Sequence, residues 1–596
     1  MKIYTLHDNI YRSPEKQANF GYSDGDEIEN YILDLINRTP DLSIGSEELM
    51  KGIKDWPSLY HLNPKRVDLL RPLADMLRGK DILEIGSGCG AITRYLGEQG
   101  GRVTALEGSY RRACITRARC RDLDDVRVIC DNFQDFDVPE KFDVITFIGV
   151  LEYSNRFIQA DHPPEAMLQK ARTFLKPGGH LIIAIENKLG LKYLAGAPED
   201  HLDKPYFGIE NRYTASTATT FGKAELEKLL ERSGFPSTSF YYPFPDYKLP
   251  SVILTEKGIC DPSFFIGELL SEKLEYFQSI TYTNYFSTTL AAETFAQNDL
   301  LAHFSNSFLV LAGPGNAASA QTNKMLAYNY STYRKKPFCK ENVFRRDHSG
   351  QITVIKNRLY DLPYDLSLPI HQTLENEEYY EGVLLFKLLI GLVSQPGWTI
   401  EDLSSWVHSY YTILCKYAII RDNQPFLEGK YADLTPFNIL LKNGSDIQIF
   451  DQEWIIKEDL PVYYVFFRGI RFSLGAISFF SAPAGGTPLN LLELSMAIMN
   501  TFYHFTPAML DDCLEREQKY FSPVNFNQPG SFDCGNIRIR GGQTEIDRLR
   551  AQLDESRHLV NEEKDRSMNL ENERDWYIRT YVKRSLFGII RDRIRL

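Results

Sequence analysis

The sequence predicts an α/β protein, with a parallel sheet of βαβ units in its first half, a smaller α+β domain after it and a helical tail. Three observations carry this. Short apolar runs begin near residues 81, 102, 126, 142 and 180, with helix-like segments near 91, 109, 164 and 223; such alternation marks parallel strands covered on both faces. A chain of 596 residues exceeds one ordinary domain, and 43% hydrophobic content supports packed cores. Residues 544–575 are dense in charge, with Ile546, Leu549, Leu553 and Val560 at heptad-like steps that Ser556 and Glu563 interrupt. The net charge of -12 excludes a general nucleic-acid binder, which needs a basic footprint.

The expected divisions follow composition. Residues 1–45 form an accessory segment whose Ile28, Ile32, Leu35 and Ile36 share one helical face. Residues 46–313 form the first domain, and its helical lead-in carries Tyr60 and His61, read as core or capping residues with a ligand-covering role as the alternative. The strand at 81–85 opens into glycines at 86, 88 and 90, a turn through which backbone approaches a ligand closely. The strand at 102–107 ends in Glu107, placed to meet ribose hydroxyls, and VRVIC at 126–130 leads to Asp131 and Asn132. FDVITF at 142–147 precedes GVLEYS, and KPGGHLIIAIEN spans 176–187. Strands near 237–242 and 307–311 complete the sheet, while the proline-rich YYPFPDYKLPS at 241–251 reads as a surface loop or lid. The insert at 185–213 is expected to shape an acceptor pocket, with Asp200, His201 and Glu210 as candidates.

AGPGNAASAQTNK at 312–324 reads as a linker, bounded at 314–327. The second domain, 328–522, carries the strand QITVIKNRL at 351–359, in which Lys356 is the one lysine among apolar residues. An acidic helix is expected around Glu375, Glu377, Glu378 and Glu381, before the apolar run GVLLFKLLIGLV. KYADLTPFNILL at 430–441 and IQIFDQEW at 447–454 carry Asp433, Asn438 and Asp451. The apolar stretch 462–480 is broken by Arg468 and Arg471 and reads as a buried helix rather than a membrane span. Residues 523–542 form a hinge, and 543–596 a coiled coil followed by a basic amphipathic tail, 576–596, suited to an anionic membrane surface or a partner. Nine scattered cysteines without a CxxC pair, and no apolar N-terminal leader, point to reduced thiols in a soluble cytoplasmic protein.

The strand–turn–helix series over roughly 45–260 resembles the class I S-adenosylmethionine (SAM)-dependent methyltransferases, and so implies a Rossmann-like sheet. The resemblance implies that Glu84, Gly86, Ser87, Gly88 and Gly90 lie along the methionine part of SAM, Glu107 on the ribose, and Asp131 and Asn132 at the adenine edge. A general base is needed only for a neutral acceptor. Glu152 is the candidate carried forward, with His162 and Glu186 as alternatives. The D-L-x-P-x-N segment and the following strand with its aspartate resemble the catalytic segments of protein-kinase-like folds, nearest to aminoglycoside and sugar kinases. That likeness implies Asp433 on the acceptor hydroxyl, Asn438 and Asp451 on Mg²⁺, and Lys356 on ATP phosphates, paired with Glu378 or Glu381. The pattern departs at Tyr431, Ala432 and Thr435, and no glycine-rich loop precedes Lys356, so an active kinase and a nucleotide-binding or structural relic both stay open.

Together the parts resemble the bifunctional kinase–methyltransferase chain terminators of bacterial O-antigen synthesis. The resemblance implies a glycan acceptor or its phosphorylated end, a coiled-coil partner or homo-oligomer, and a peripheral place at the inner face of the plasma membrane. Two alternatives are a methyltransferase acting on a small metabolite or sugar nucleotide over a non-catalytic kinase-like scaffold, and an assembly platform for glycosyltransferases.

Overall fold

The computed structural model describes residues 2–13, 23–271, 284–314, 324–363, 365–444, 446–526, 539 and 542–578. Its centre is one continuous sheet. The parallel part runs β2 (Ile10–Arg12), β5 (Val126–Cys130), β4 (Arg102–Glu107), β3 (Asp81–Ile85), β6 (Phe142–Ile148) and β7 (Leu175–Glu186). Beyond β7 every pairing is antiparallel, through β10 (Ser307–Gly313), β8 (Ser237–Phe244), β9 (Val252–Thr255), β11 (Met325–Ser331), β12 (Lys340–Arg346), β13 (Ile352–Arg358) and the two-residue strand Glu377–Glu378. Alternate residues of the central strands enter opposite cores. Leu83, Ile145 and Ile183 pack on one face; Ile82, Val144 and Ile182 pack on the other. Both faces are therefore covered, as the unbroken apolar runs require.

Several expectations are corrected. Residues 1–45 are not a mere accessory. β1 (Thr5–His7) pairs with β2, which extends the parallel sheet beside β5, and the helix Asp26–Arg38 buries Ile32, Leu35 and Ile36 against Cys89 and Ile115. The proline-rich stretch is no surface lid: Tyr241, Tyr242 and Phe244 belong to β8, and Tyr247 and Leu249 are buried. Proline is tolerated there because Pro243 and Phe244 pair only with the short β9. No helix forms at 375–381; Glu377 and Glu378 instead pair with Val354 and Thr353 of β13, supplying a partner for an edge that was otherwise open. Of the expected linker, 315–323 fall outside the described residues, yet β11 pairs directly with β9, so the two halves share their sheet across that boundary.

The second half holds its own core, in which Leu385, Phe386, Trp406, Tyr410, Val465, Phe466 and Ile470 meet. The helix Val462–Gly475 is buried along nearly its whole length, both arginines included. Val524, at the start of the expected hinge, is buried in this core too, and the rest of that hinge lies almost entirely outside the described residues. Gly542–Tyr577 is a single 36-residue helix on which Leu553 and Val560 stand exposed. Of the basic tail, 579–596 lie outside the described residues. No helix among the described residues is long and apolar enough to cross a membrane.

Candidate active sites

The first site forms where β3, β4 and β6 end. Gly86 takes φ +77, and a Cβ there would lie 2.6 Å from Val150 Cγ2, so only glycine fits this turn. Two adjoining cavities, of about 100 and 190 Å³, meet across Gly86, Gly88, Arg112, Gly149 and Tyr153. Glu107, Asp131, Asn132, Phe133 and Met167 line the smaller. Glu107 accepts hydrogen bonds from the backbone N–H of Gly88 (2.8 Å) and Ser109 (2.9 Å), which ties the glycine turn to the end of β4. Asp131 Oδ2 already accepts from Lys2 Nζ (2.7 Å) and Tyr4 Oη (2.6 Å), so the N-terminal strand holds this carboxylate in place. Arg112 is gripped from the N-terminal segment by Glu29 (2.9 Å) and Asp24. Although burial works against it, His61 and Arg112 hold the Asp24 carboxyl down at about 2.

The larger cavity is lined by His61, Glu84, Glu152, Glu186, His201 and Lys248, among others. Burial pushes the Glu84 carboxyl up to about 7, against a hydrogen bond of 2.5 Å from Thr93. On the far wall sits a buried cluster. His201 Nδ1 lies 2.9 Å from Glu199, and its Nε2 faces Glu152 Oε1 and Glu186 Oε2, each at 3.9 Å. Lys248 meets Glu186 at 2.8 Å and also pairs with Asp200; Lys192 lies 2.9 Å from Asp200 and 3.6 Å from Asp246. Burial drives Glu152 upward, whereas Lys248 and His201 outweigh burial and hold Glu186 down. Desolvation opposes charge on His201, but Glu186 and the flanking carboxylates raise its affinity for a proton well above the ordinary value.

The second site is a cavity of about 600 Å³ between β11–β13 and the second core. Asp451, at φ +49, receives Lys356 at 2.7 Å and Lys340 at 3.0 Å. Although burial favours its neutral form, these two lysines keep its carboxyl well below the usual range. Asn438 Nδ2 donates to Asp433 Oδ2 (2.9 Å), and Arg468 meets Asp433 Oδ1 at 3.1 Å and Glu517 at 3.1 Å. Burial pushes the Asp433 carboxyl up, with Arg468 opposing it. The expected glutamate partners of Lys356 are corrected: the ion pair is with Glu377 (2.9 Å), because in a strand Glu377 and Glu378 face opposite ways, and Glu378 is exposed.

Part of the chain is similar to known proteins. Residues 83–181 match the family model described as a methyltransferase domain. Residues 83–181 form a SAM-dependent methyltransferase domain. The ubiquinone biosynthesis O-methyltransferase of Histophilus somni is 27% identical over 141 residues, 22% of this chain and 56% of that protein. That of Idiomarina loihiensis is 25% identical over 24% of this chain and 57% of its own length. The chain thus spans about half the length of the curated relatives it matches. Among solved structures, the Burkholderia thailandensis 1,6-didemethyltoxoflavin-N1-methyltransferase, with S-adenosylhomocysteine bound, is similar at 17% identity and a TM-score of 0.23, covering 41% of this chain and 77% of its own.

Within and beside the methyltransferase domain, Glu84, Gly86, Ser87, Gly88, Glu107, Asp131 and Asn132 line the paired cavities, and Gly90 caps the helix Ala91–Glu98 just behind them. The residues present fit SAM: a buried carboxylate ends β4, and open backbone turns beneath it. Glu152, Glu186, Asp200 and His201 converge on the larger cavity. His162 and Glu210 do not: both are exposed, His162 ahead of the helix Pro163–Phe174 and Glu210 paired with Arg212. Sequence reading missed Arg112, Lys248 and Glu199 in the first site, and Lys340, Arg334 and Glu453 in the second. Arg468 was noticed only as a break in an apolar run. A charged residue inside such a run is costly to bury unpaired, and that was the available signal for a buried acid opposite.

Proposed function

We propose that the chain is a SAM-dependent methyltransferase whose acceptor is an oxygen of a glycan or of its phosphorylated terminus, and that its second cleft binds Mg-ATP and phosphorylates that acceptor. The observation that carries the first part is the pair of cavities meeting at Gly86 and Gly88, one ending in Glu107 and the other in the Glu152–Glu186–His201 cluster. SAM, when bound, supplies a methyl group already activated as a sulfonium. The chain then has to align the acceptor with that methyl, exclude water, and hold the proton of a neutral hydroxyl. The buried cluster around Glu152 is the place for that proton. In the second cleft, Asp433 would orient the attacking hydroxyl while Asn438 and Asp451 would hold Mg²⁺ and the two lysines would neutralise phosphates.

A second reading is favoured by the relatives named as ubiquinone biosynthesis O-methyltransferases and by the modest acceptor cavity of about 190 Å³: a small-molecule acceptor, with the kinase-like half as scaffold. The test is transfer of labelled methyl from SAM into lipid-linked glycan and into a small-molecule extract, each with and without Mg-ATP. ATP-dependent glycan labelling that disappears in Asp433→Asn supports coupling of the two sites. Labelling of small molecules indifferent to ATP supports the second reading, and no labelling of either fraction overturns both.

A further inference from the structure

The acceptor-side cluster is short of positive charge. Five buried or nearly buried carboxylates, Glu152, Glu186, Glu199, Asp200 and Asp246, adjoin only two lysines, Lys192 and Lys248. With all five ionised, a neutral imidazole at His201 leaves three negative charges uncompensated, and an imidazolium leaves two. The next cation, Arg66, directs its guanidinium to Tyr60 Oη (2.8 Å) and to the carbonyl of Tyr247 (3.1 Å). Burying such an excess is expensive unless something neutralises it. Two further observations say where. Glu152 and Glu186 are 1% and 0% exposed, yet Oε2 of each has no hydrogen-bond partner among the described residues. His201 has its Nδ1 held by Glu199 at 2.9 Å, which aims Nε2 at the gap between those two carboxylates. A carboxylate on the far nitrogen is how a metal-binding histidine is oriented. One donor atom from each of Glu152, Glu186 and His201 lies within 4.8 Å of the others.

We propose that Glu152, Glu186 and His201 bind one divalent first-row cation, such as Mn²⁺ or Zn²⁺, on the acceptor side of the methyl-transfer cavity. Two carboxylates and an imidazole suit such an ion better than a hard, fully oxygen-ligated one. The inference rests on the methyl-transfer reading for its purpose. A cation with positions left open toward the cavity would hold an acceptor hydroxyl or phosphate oxygen and offset the negative field that otherwise repels an anionic acceptor.

The probe is Mn²⁺ alone, added to the full chain and followed by pulsed electron paramagnetic resonance. The residues lining the second cleft include no histidine, so directly coordinated nitrogen reports this cluster and not Asp451. The expected result is one Mn²⁺ per chain with ¹⁴N coupling, the coupling lost in His201→Gln and the affinity reduced at least tenfold in Glu186→Gln. Absence of nitrogen coupling in the unsubstituted protein overturns the proposal, whatever the variants do. So does coupling that persists in a folded His201→Gln protein. Methyl transfer assayed on the same samples separates the two ideas: transfer without a nitrogen-coupled ion sinks the cation site alone, and a nitrogen-coupled ion without transfer to any acceptor sinks the methyltransferase reading alone.

Discussion

Glu84 lies one residue before the end of β3, inside the protein, where burial raises its carboxyl to about 7. An acid raised in the folded state keeps its proton after the unfolded chain has lost it, so stability falls as pH climbs from about 4.5 to about 7. Relative to Glu84→Gln, the cofactor-free protein should lose about 3 kcal/mol across that window and nothing below it. Denaturant titrations of both proteins at pH 4 and pH 8 check this, and parallel curves at the two pH values would contradict it. Glu107 makes the other residue-scale case. Removing its carboxylate in Glu107→Ala takes away the acceptor of two backbone N–H groups as well as the proposed ribose partner, at about 1.5–3 kcal/mol. Calorimetric titration with S-adenosylhomocysteine should show affinity weakened about 10- to 100-fold. These two acids were legible in the sequence because each lies at or next to the end of a strand, just before a turn. His201 was legible only as a polar residue in an insert, since two of its partners, Glu152 and Glu186, arrive from the turn after β6 and the end of β7, distant positions that no local spacing reveals.

At the scale of elements, the helix Val462–Gly475 illustrates how a mixed signal resolves. Its apolar face fills the second core, and Arg468 bridges Asp433 and Glu517 from within it. Arg468→Met should leave both acids buried without their cation and cost about 3–5 kcal/mol, read as a lowered melting temperature. The acidic segment at 375–381 misled in the other direction. Its glutamates have good helix propensity, but the open edge of β13 was a stronger claim on their backbone, and tertiary context overrides propensity. The N-terminal strands were illegible for the same reason: three residues each, too short to show a period, they exist because β5 offers an edge. The helix Gly542–Tyr577 rests on none of these edges. Cutting the chain after Gly541 should leave the melting temperature within about 1 °C, since among the described residues no side chain of this helix joins a hydrophobic core.

For the whole molecule, the decisive feature is that β9 and β11 are hydrogen-bonded neighbours. The sequence signalled two domains through a glycine- and alanine-rich break, and composition there could not show that strands on either side of it pair. Two halves that share a sheet should unfold together. Scanning calorimetry is expected to show one principal transition, raised as a unit by S-adenosylhomocysteine in proportion to RT ln(1 + [L]/Kd). Two separated transitions, only one of them responding, would show the halves to be energetically independent.

The position of β10 has a consequence for how the protein is made. This strand lies between β7 and β8 in space but is encoded after both. While the chain emerges from the ribosome, β8 and β9 have no sheet to join until Ser307–Gly313 appears. At ordinary synthesis rates the stretch from Ser237 to Gly313 takes about 4–15 s. Through that interval a nascent chain carries the β8–β9 pair without its sheet, with buried-type side chains such as Phe240, Tyr242 and Ile253 open to water. A chaperone that shields apolar segments would find its target there, and release would be timed by the arrival of a single late strand.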